Sequence, residues 1–292
     1  MNSARTIALL TDFGYLDPFS GILKGVIAKI AAGISIVDIT HGIPPGDVRR
    51  AAIVLWQSRI YFPAGTIFLC VVDPGVGTAR RGIILKVNEH VYIGPDNGIF
   101  TFILGEEYQA WEIRNPDYAL PEPGITFHGR DIFSPAAAHI AQGVSPYDFG
   151  PSIYNLFLLP NPVLEYPSAG ILNGEILFAD HFGNLLTSFG RFIQRSGRKY
   201  EFQPWLKINN PMTNVNTFSL KDWQLSLPNG FSLPLAHTFT DIPEGKIAGL
   251  VGSSGLLEIA ANRQSAADQL GLRERTPVIL KNKEIPHAKT HH

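Results

Sequence analysis

Two carboxylates, an arginine and a histidine stand in this chain where reactive groups are useful. The apolar run Ile67 to Val72 passes straight into Asp73, and Pro74, Gly75 and Gly77 follow, so a strand ends on an acid and then turns. Such a turn can fold Arg80 back toward Asp73 and leave an ion pair beside a crevice. The plain alternative is a surface turn with an incidental salt bridge. Leu10-Thr11-Asp12-Phe13-Gly14 ends an earlier apolar run in the same way. Two acids at neighbouring strand ends would face one crevice, which is where open α/β sheets hold their ligands. Asp12 is suited to accept hydrogen bonds from the two hydroxyls of a ribose, or equally to cap the following segment. His128 lies in Thr126-Phe127-His128-Gly129-Arg130-Asp131, ahead of a helix. Its Gly and charged neighbours suit a working histidine, although an isolated histidine is more often a structural hydrogen-bonding residue.

The second half holds a further group, Asp180-His181-Phe182-Gly183-Asn184. Asp180 could bind an ammonium, Phe182 could stack on a ring and Asn184 could read a base edge, while the same five residues also suit a β-turn with a packed Phe. Ser253-Ser254-Gly255 offers small polar groups and backbone N–H donors for a carboxylate. Asp12, Asp73, His128 and Asp180 are also conceivable metal ligands, but neither an HExxH pair nor a Cys/His cluster occurs, so the metal account is the weaker one. Asp96-Asn97-Gly98 reads as a turn with no further role.

The elements that would carry these groups alternate in the first half. Strands are expected at Thr6 to Leu10, Ile34 to Ile39 and Ile67 to Val72, with helices at Ser20 to Ala32 and Asp47 to Ile60 between them. That alternation argues a mostly parallel sheet with right-handed crossovers, an α/β/α sandwich. A hairpin over Gly82 to Val87 and His90 to Ile93, a strand at Tyr108 to Ile113 and a helix from Ser134 to Ala141 opened by Pro135 complete it. Proline-rich sequence between 157 and 170 suggests a break, giving an N-terminal α/β domain over 1–160, a linker over 161–169, a C-terminal domain over 170–282 and a tail over 283–292. Short β-like segments such as Gly170 to Phe178, Lys246 to Gly252 and Leu256 to Ala260 make the second domain an antiparallel β unit, a small barrel.

Composition narrows the class of ligand. The 292 residues are 45% hydrophobic, and 24 basic against 25 acidic residues leave a net charge of -1 without runs of one sign. No nucleic-acid track or membrane-surface patch is suggested, which leaves a small molecule or a protein partner. The single cysteine, Cys70, sits in an apolar strand and reads as a packed thiol, with no disulfide framework. No apolar run approaches the ~20 residues of a membrane span and the N-terminus does not read as a secretory signal, so a cytoplasmic location is expected.

Taken together, Leu10 to Gly14, Ile36-Val37-Asp38-Ile39-Thr40-His41, Val72 to Thr78 with Arg80, Gly94 to Gly98, Phe127 to Asp131 and Asp180 to Asn184 resemble the S-adenosyl-L-methionine hydroxide adenosyltransferases. The motifs run in order over nearly the whole chain. The resemblance implies hydrolysis of S-adenosyl-L-methionine (SAM) to adenosine and L-methionine, with SAM as substrate, no cofactor and no metal. It places Asp73, Arg80 and His128 on the attacking water. It also implies Asp12 on the ribose hydroxyls, Asp180 on the methionine ammonium, Ser253 near the methionine carboxylate, and Phe182, Asn184 and Phe239 around the adenine. A homotrimer with sites at subunit interfaces is implied as well. The superfamily includes halogenases, whose fluorinating members resemble this chain but carry Tyr and Thr at the positions of Asp73 and Val76, and Ser at Gly129. Gly46 stands where they have Trp, and the loop Asp180 to Asn184 is one residue shorter. A desolvated fluoride would be repelled by a nearby carboxylate, whereas water gains an acceptor that orients it. Two rival readings are a non-catalytic SAM- or adenosine-binding module, which would not need Asp73, Arg80 and His128 together, and a chlorinating enzyme.

Overall fold

The run Ile7 to Thr11 is fully buried on both faces, as a central strand of a covered sheet must be. In the computed structural model, which describes residues 6–197, 199–206, 218–228 and 230–283, this run belongs to the first of two units, Met1–Leu159 and Pro160–His292. The first unit is built on β1 (Thr6–Thr11), α1 (Phe19–Ile30), β2 (Ser35–Thr40), α2 (Val48–Ser58), β3 (Ile67–Val71), β4 (Gly82–Val87), β5 (His90–Pro95), β6 (Gln109–Glu112), α3 (Ser134–Gln142) and β7 (Ser152–Ile153). The sheet order is β2-β1-β3-β5-β4-β6-β7. Pairing is parallel from β2 through β5 and antiparallel from there to β7.

Alternation along the strands sorts the two faces. Ile7, Leu9, Ile67, Leu69 and Val71 pack with Leu23 and Ile27 of α1 and Ala136, Ala137 and Ile140 of α3. Ala8, Leu10, Phe68 and Cys70, the intervening residues, point the other way, and α2 meets β1. Cys70 is a packed thiol, and burial pushes its pKa up, far from reactivity. Asp47 caps α2 by accepting the Arg50 N–H at 2.9 Å, and α3 stops at Gly143, which takes a left-handed φ of 101°.

The second unit contains β8 (Leu164–Ser168), β9 (Ile171–Ala179), β10 (Leu185–Thr187), β11 (Phe192–Ser196), β12 (Lys199–Phe202), β13 (Phe218–Ser219), β14 (Trp223–Ser226), β15 (Ser232–Pro234), β16 (Ile247–Val251), β17 (Leu257–Ala261), α4 (Ala266–Leu270) and β18 (Pro277–Asn282). Strands order as β15-β14-β18-β9-β10-β17-β16, all antiparallel, with β8 on β9. A bridge between Leu235 and Gly249 brings the two end strands together, so the sheet is nearly a closed barrel. A separate three-stranded sheet runs β11-β12-β13, and Phe189, Phe218, Trp223 and Leu257 are among the residues of the core.

The segment 161–169 differs from the expected linker, because β8 occupies most of it. Proline lacks an N–H, but Pro167 sits at a register shift where no ladder donor is required, so the strand tolerates it. The expected tail, 283–292, lies outside the described residues except for Lys283. Among the described residues no helix is long and apolar enough to cross a membrane.

Candidate active site

Each unit carries its own cleft. In the first, the C-terminal ends of β1 and β3 and the loop before α3 enclose a cavity of about 410 Å³ lined by Asp12, Gly46, Asp73, Val76, Phe127 and His128, among others. This is the strand-end crevice expected of a parallel sheet.

Asp73 is placed by the turn that follows β3. The Val76 N–H donates to the Asp73 carbonyl at 3.2 Å, the Thr78 N–H and hydroxyl donate to the Gly75 carbonyl at 3.1 and 2.7 Å, and the Arg80 N–H reaches the Thr78 hydroxyl at 3.3 Å. Gly77 is required here twice over. Its φ is +79°, and a β-carbon would lie 2.7 Å from the Ile125 carbonyl oxygen. At the other side, Asn97 donates to the Val72 carbonyl at 2.8 Å, so the turn Asp96-Asn97-Gly98 pins the strand end beside Asp73. Sequence reading gave that turn no such part.

The folded-back arginine makes a fork. Arg80 Nε donates to both Asp73 oxygens at 3.0 Å, Nη2 donates to Oδ2, and Nη2 also donates to His128 Nδ1 at 2.8 Å. The Arg80 and Asp73 side chains are only 11% and 5% exposed, so this is a buried, planar pair rather than a surface contact. Because Nδ1 accepts from a guanidinium, a neutral His128 carries its proton on Nε2. Burial, and then the adjacent Arg80 charge, lower the His128 pKa, which favours that neutral form. The His128 loop is braced from below by Asp131, whose carboxylate accepts from the Gly124 N–H at 2.9 Å and from Arg130 at 2.6 and 2.9 Å.

Asp12 faces the same cavity and accepts the Gly46 N–H at 2.8 Å. Burial raises its pKa above the ordinary carboxylate value, and the nearby Asp73 charge adds to that.

The second cleft, about 860 Å³, is lined by Asp180, Phe182, Asn184, Phe239, Ser253 and Glu258 together with further residues of the barrel end. The structure thus brings together all five residues that the sequence assigned to this half. Asp180 is also the brace of its own loop. Its Oδ1 accepts the Phe182 and Asn184 N–H groups at 2.8 and 2.9 Å, and its Oδ2 accepts from the Asn184 side chain at 2.9 Å. A carboxylate has about four acceptor sites, so capacity for a ligand cation remains. Phe182 is 76% exposed and Phe239 45% exposed, which leaves both rings open for a flat ligand.

Glu258 is an acidic cleft residue that sequence reading missed. It sits on β17 opposite Leu186, in the run Leu256-Leu257-Glu258-Ile259-Ala260, and its carboxyl lies against Gly252 so closely that a β-carbon there would collide with it. Burial and the charge of Asp180 push its pKa up to about 7. A lone acid inside an apolar strand run was the available signal. Among the described residues no group of three or more His, Cys, Asp or Glu is arranged to hold a metal ion.

Comparison with known proteins adds a third line of observation. The family model for the SAM hydroxide adenosyltransferase N-terminal domain matches residues 7–150, and that for the C-terminal domain matches residues 174–279. The chain is 38% identical to the (R)-S-adenosyl-L-methionine hydrolase of Thermus thermophilus, over 94% of this chain and 99% of that one. A fluorinase from an Actinoplanes species is more distant, at 28% identity over 96% and 98% of the two chains. The crystal structure of an uncharacterized conserved protein from Thermotoga maritima superposes with a TM-score of 0.80 at 31% identity, covering 94% of this chain and all of that one.

Proposed function

The chain belongs to the SAM hydroxide adenosyltransferase family and hydrolyses S-adenosyl-L-methionine to adenosine and L-methionine; from that premise we propose how its own residues perform the reaction. The observation that carries the proposal is the Arg80 fork, which holds Asp73 and His128 rigidly on one wall of the first cleft, facing the cavity that Asp12 also lines.

In this reading a water molecule donates a hydrogen bond to Asp73 and receives one from His128 Nε2–H, and Asp12 accepts from the ribose hydroxyls. Asp180 takes the methionine ammonium, Ser253 lies near its carboxylate, and Phe182, Asn184 and Phe239 surround the adenine. The water oxygen forms a bond to the ribose C5′ as the C5′–S bond breaks, and the electron pair of that bond returns to sulfur. Methionine leaves as a neutral thioether, so neither a general acid nor a Lewis acid is called for. One proton is released overall. In-line placement of the water at about 3 Å from C5′ can contribute roughly 7–11 kcal/mol by proximity. No cofactor takes part, and the reaction runs without a metal.

The carboxylate of Asp73 also separates this site from a halide site. Moving a halide from water to a point beside a fixed negative charge is unfavourable in a partly buried cleft, whereas water gains an acceptor. The direct test is incubation of the chelator-treated protein with SAM in oxygen-18 water and mass spectrometry of the nucleoside. Label at the 5′-oxygen of adenosine is the expected result. Intact SAM would favour a binding module, and a 5′-halogenated nucleoside formed in excess halide would overturn the assignment.

The functional groups that SAM requires are divided between two clefts, each built within one unit. We infer that the protein works as a homotrimer in which the first cleft of one chain and the second cleft of a neighbouring chain hold a single ligand. Mixed oligomers of Asp73→Ala and Asp180→Ala chains should then recover turnover that neither variant shows alone, because some sites receive an intact residue from each. A fully active monomer in light scattering would contradict this arrangement. A cytoplasmic location is in keeping with a metabolite substrate.

A further inference from the structure

Behind Asp12 lies a chain of polar groups, fully buried at Thr11 and His41, that the reaction does not touch. Thr11, the last residue of β1, and His41, just past β2, are both fully buried, and the Thr11 hydroxyl lies 2.7 Å from His41 Nδ1. The same hydroxyl oxygen accepts the Phe13 N–H at 3.2 Å, so its own proton is available to His41. With Nε2 turned to the Asp38 carboxylate, a neutral His41 carries its proton on Nε2 and accepts the Thr11 hydroxyl at Nδ1. That nitrogen lies 3.1 Å from Asp38 Oδ1, at ion-pair distance though off the line of a well-formed hydrogen bond, and Lys24 donates to the other Asp38 oxygen at 2.6 Å. The His41 carbonyl also accepts the Gly14 N–H at 2.7 Å.

His41 thus holds the segment 11–14 at both ends, by its ring at Thr11 and by its carbonyl at Gly14. Between those two points stand Asp12 and Phe13. The ring of Phe13 packs edge-on against Phe127 at 5.6 Å between centroids, next to His128. A fixed backbone at 11–14 sets the direction of the Asp12 carboxylate and the wall on which the His128 loop rests.

We propose that the Thr11–His41–Asp38 chain is a positioning device for the ribose-binding carboxylate, and that His41 and Thr11 act on substrate only through Asp12. The proposal rests on the reading that Asp12 accepts the ribose hydroxyls. Thr11 and His41 are fully buried and the chain ends on Asp38, whose side chain is 27% exposed; burying polar groups is costly unless they are paired, so the presence of the Thr11–His41 pair beside a ligand carboxylate calls for a role that apolar packing could not supply. A β-branched apolar residue at position 11 would fill the same volume and fit the strand, but it would release Phe13 N–H and the His41 ring.

The test compares adenosine with 2′,3′-dideoxyadenosine by calorimetry. Thr11→Val removes the hydroxyl with almost no change of shape, and His41→Gln keeps an amide near Asp38 while losing the acceptor at Nδ1. Both should weaken adenosine binding about tenfold, the loss of roughly one good hydrogen bond, and leave dideoxyadenosine binding unchanged, because that ligand has nothing for Asp12 to hold. Thr11→Ser should restore adenosine affinity. Equal losses for both ligands would overturn the proposal, since a merely structural role lowers them together. Asp12→Asn is the separate control. If it costs nothing with adenosine, the ribose reading itself fails; if it weakens adenosine selectively while Thr11→Val and His41→Gln do not, the ribose reading stands and the positioning role falls.

Discussion

Replacing Asp73 by Asn is expected to lower kcat for SAM hydrolysis by about 10²–10³-fold while leaving KM within about threefold of the original value, within the range for loss of a positioned acceptor on a reacting proton. The structure explains the split. Both Asp73 oxygens are fixed by Arg80, and the side chain is almost wholly buried, so the carboxylate cannot swing to compensate. Asn keeps the shape but places an amide NH₂ where one oxygen stood. Because both oxygens accept from Arg80, that NH₂ meets the guanidinium in either orientation, which is repulsive, and the water loses the carboxylate as its acceptor. In the proposed arrangement the substrate's ribose, adenine and amino-acid contacts are elsewhere, so binding should survive. Adenosine release followed by chromatography, with SAM affinity measured separately, checks the result. Turnover at the original rate would remove Asp73 from the reaction.

Arg80→Met should be damaging in two ways at once. It leaves Asp73 as a buried carboxylate without its cation, and breaking a buried pair on one side costs about 3–5 kcal/mol of stability. It also releases His128, whose Nδ1 is held by the same guanidinium, and loses the stacking of Arg80 over Phe133 at 5.1 Å. Turnover should fall at least as far as in Asp73→Asn. The informative variant is the double one. Adding Asp73→Asn to Arg80→Met removes the stranded charge, so the denaturant midpoint should recover in large part while kcat stays at the level of the worse single variant. Groups that act as one unit show this kind of non-additivity. A double variant whose kcat losses simply multiply would mean that Asp73 and Arg80 contribute independently.

Local sequence carried the first cleft well. The apolar run into Asp73, the glycines and the seven-residue spacing to Arg80 all express short-range constraints, and the fork lies within a single turn. His128 is 48 residues away from Arg80, and only the resemblance joined them. The helices and central strands were visible because their periodicities are strong and their caps local. β8 was not, because prolines at 160, 162 and 167 look like a break when cross-strand partners are unknown. Glu258 escaped for a related reason. Its raised pKa comes first from burial and then from the Asp180 charge, and no pattern along β17 reports a neighbour nearly eighty residues distant. The buried chain behind Asp12 shows the same limit, since Thr11 and His41 are thirty residues apart and meet only because β1 and β2 pair in parallel. Asn97 likewise reads as a turn residue until its contact with the end of β3 is seen.

The collision between Glu258 and any side chain at position 252 also constrains how this cleft can change over time. Shortening Glu258 first opens room above Gly252, and a small residue can then enter there. The reverse order works differently, because the nearest atoms a β-carbon at 252 would meet all belong to the Glu258 carboxyl, the far end of a flexible side chain, so a larger residue at 252 turns that carboxyl out of its seat. The two positions are therefore coupled through where the carboxyl sits. A library that varies position 252 alone should admit alanine and serine only with a displaced Glu258 carboxyl, while one seeded with Glu258→Ala should admit them with nothing displaced. Any redesign of this cleft has to treat the strand and the turn together.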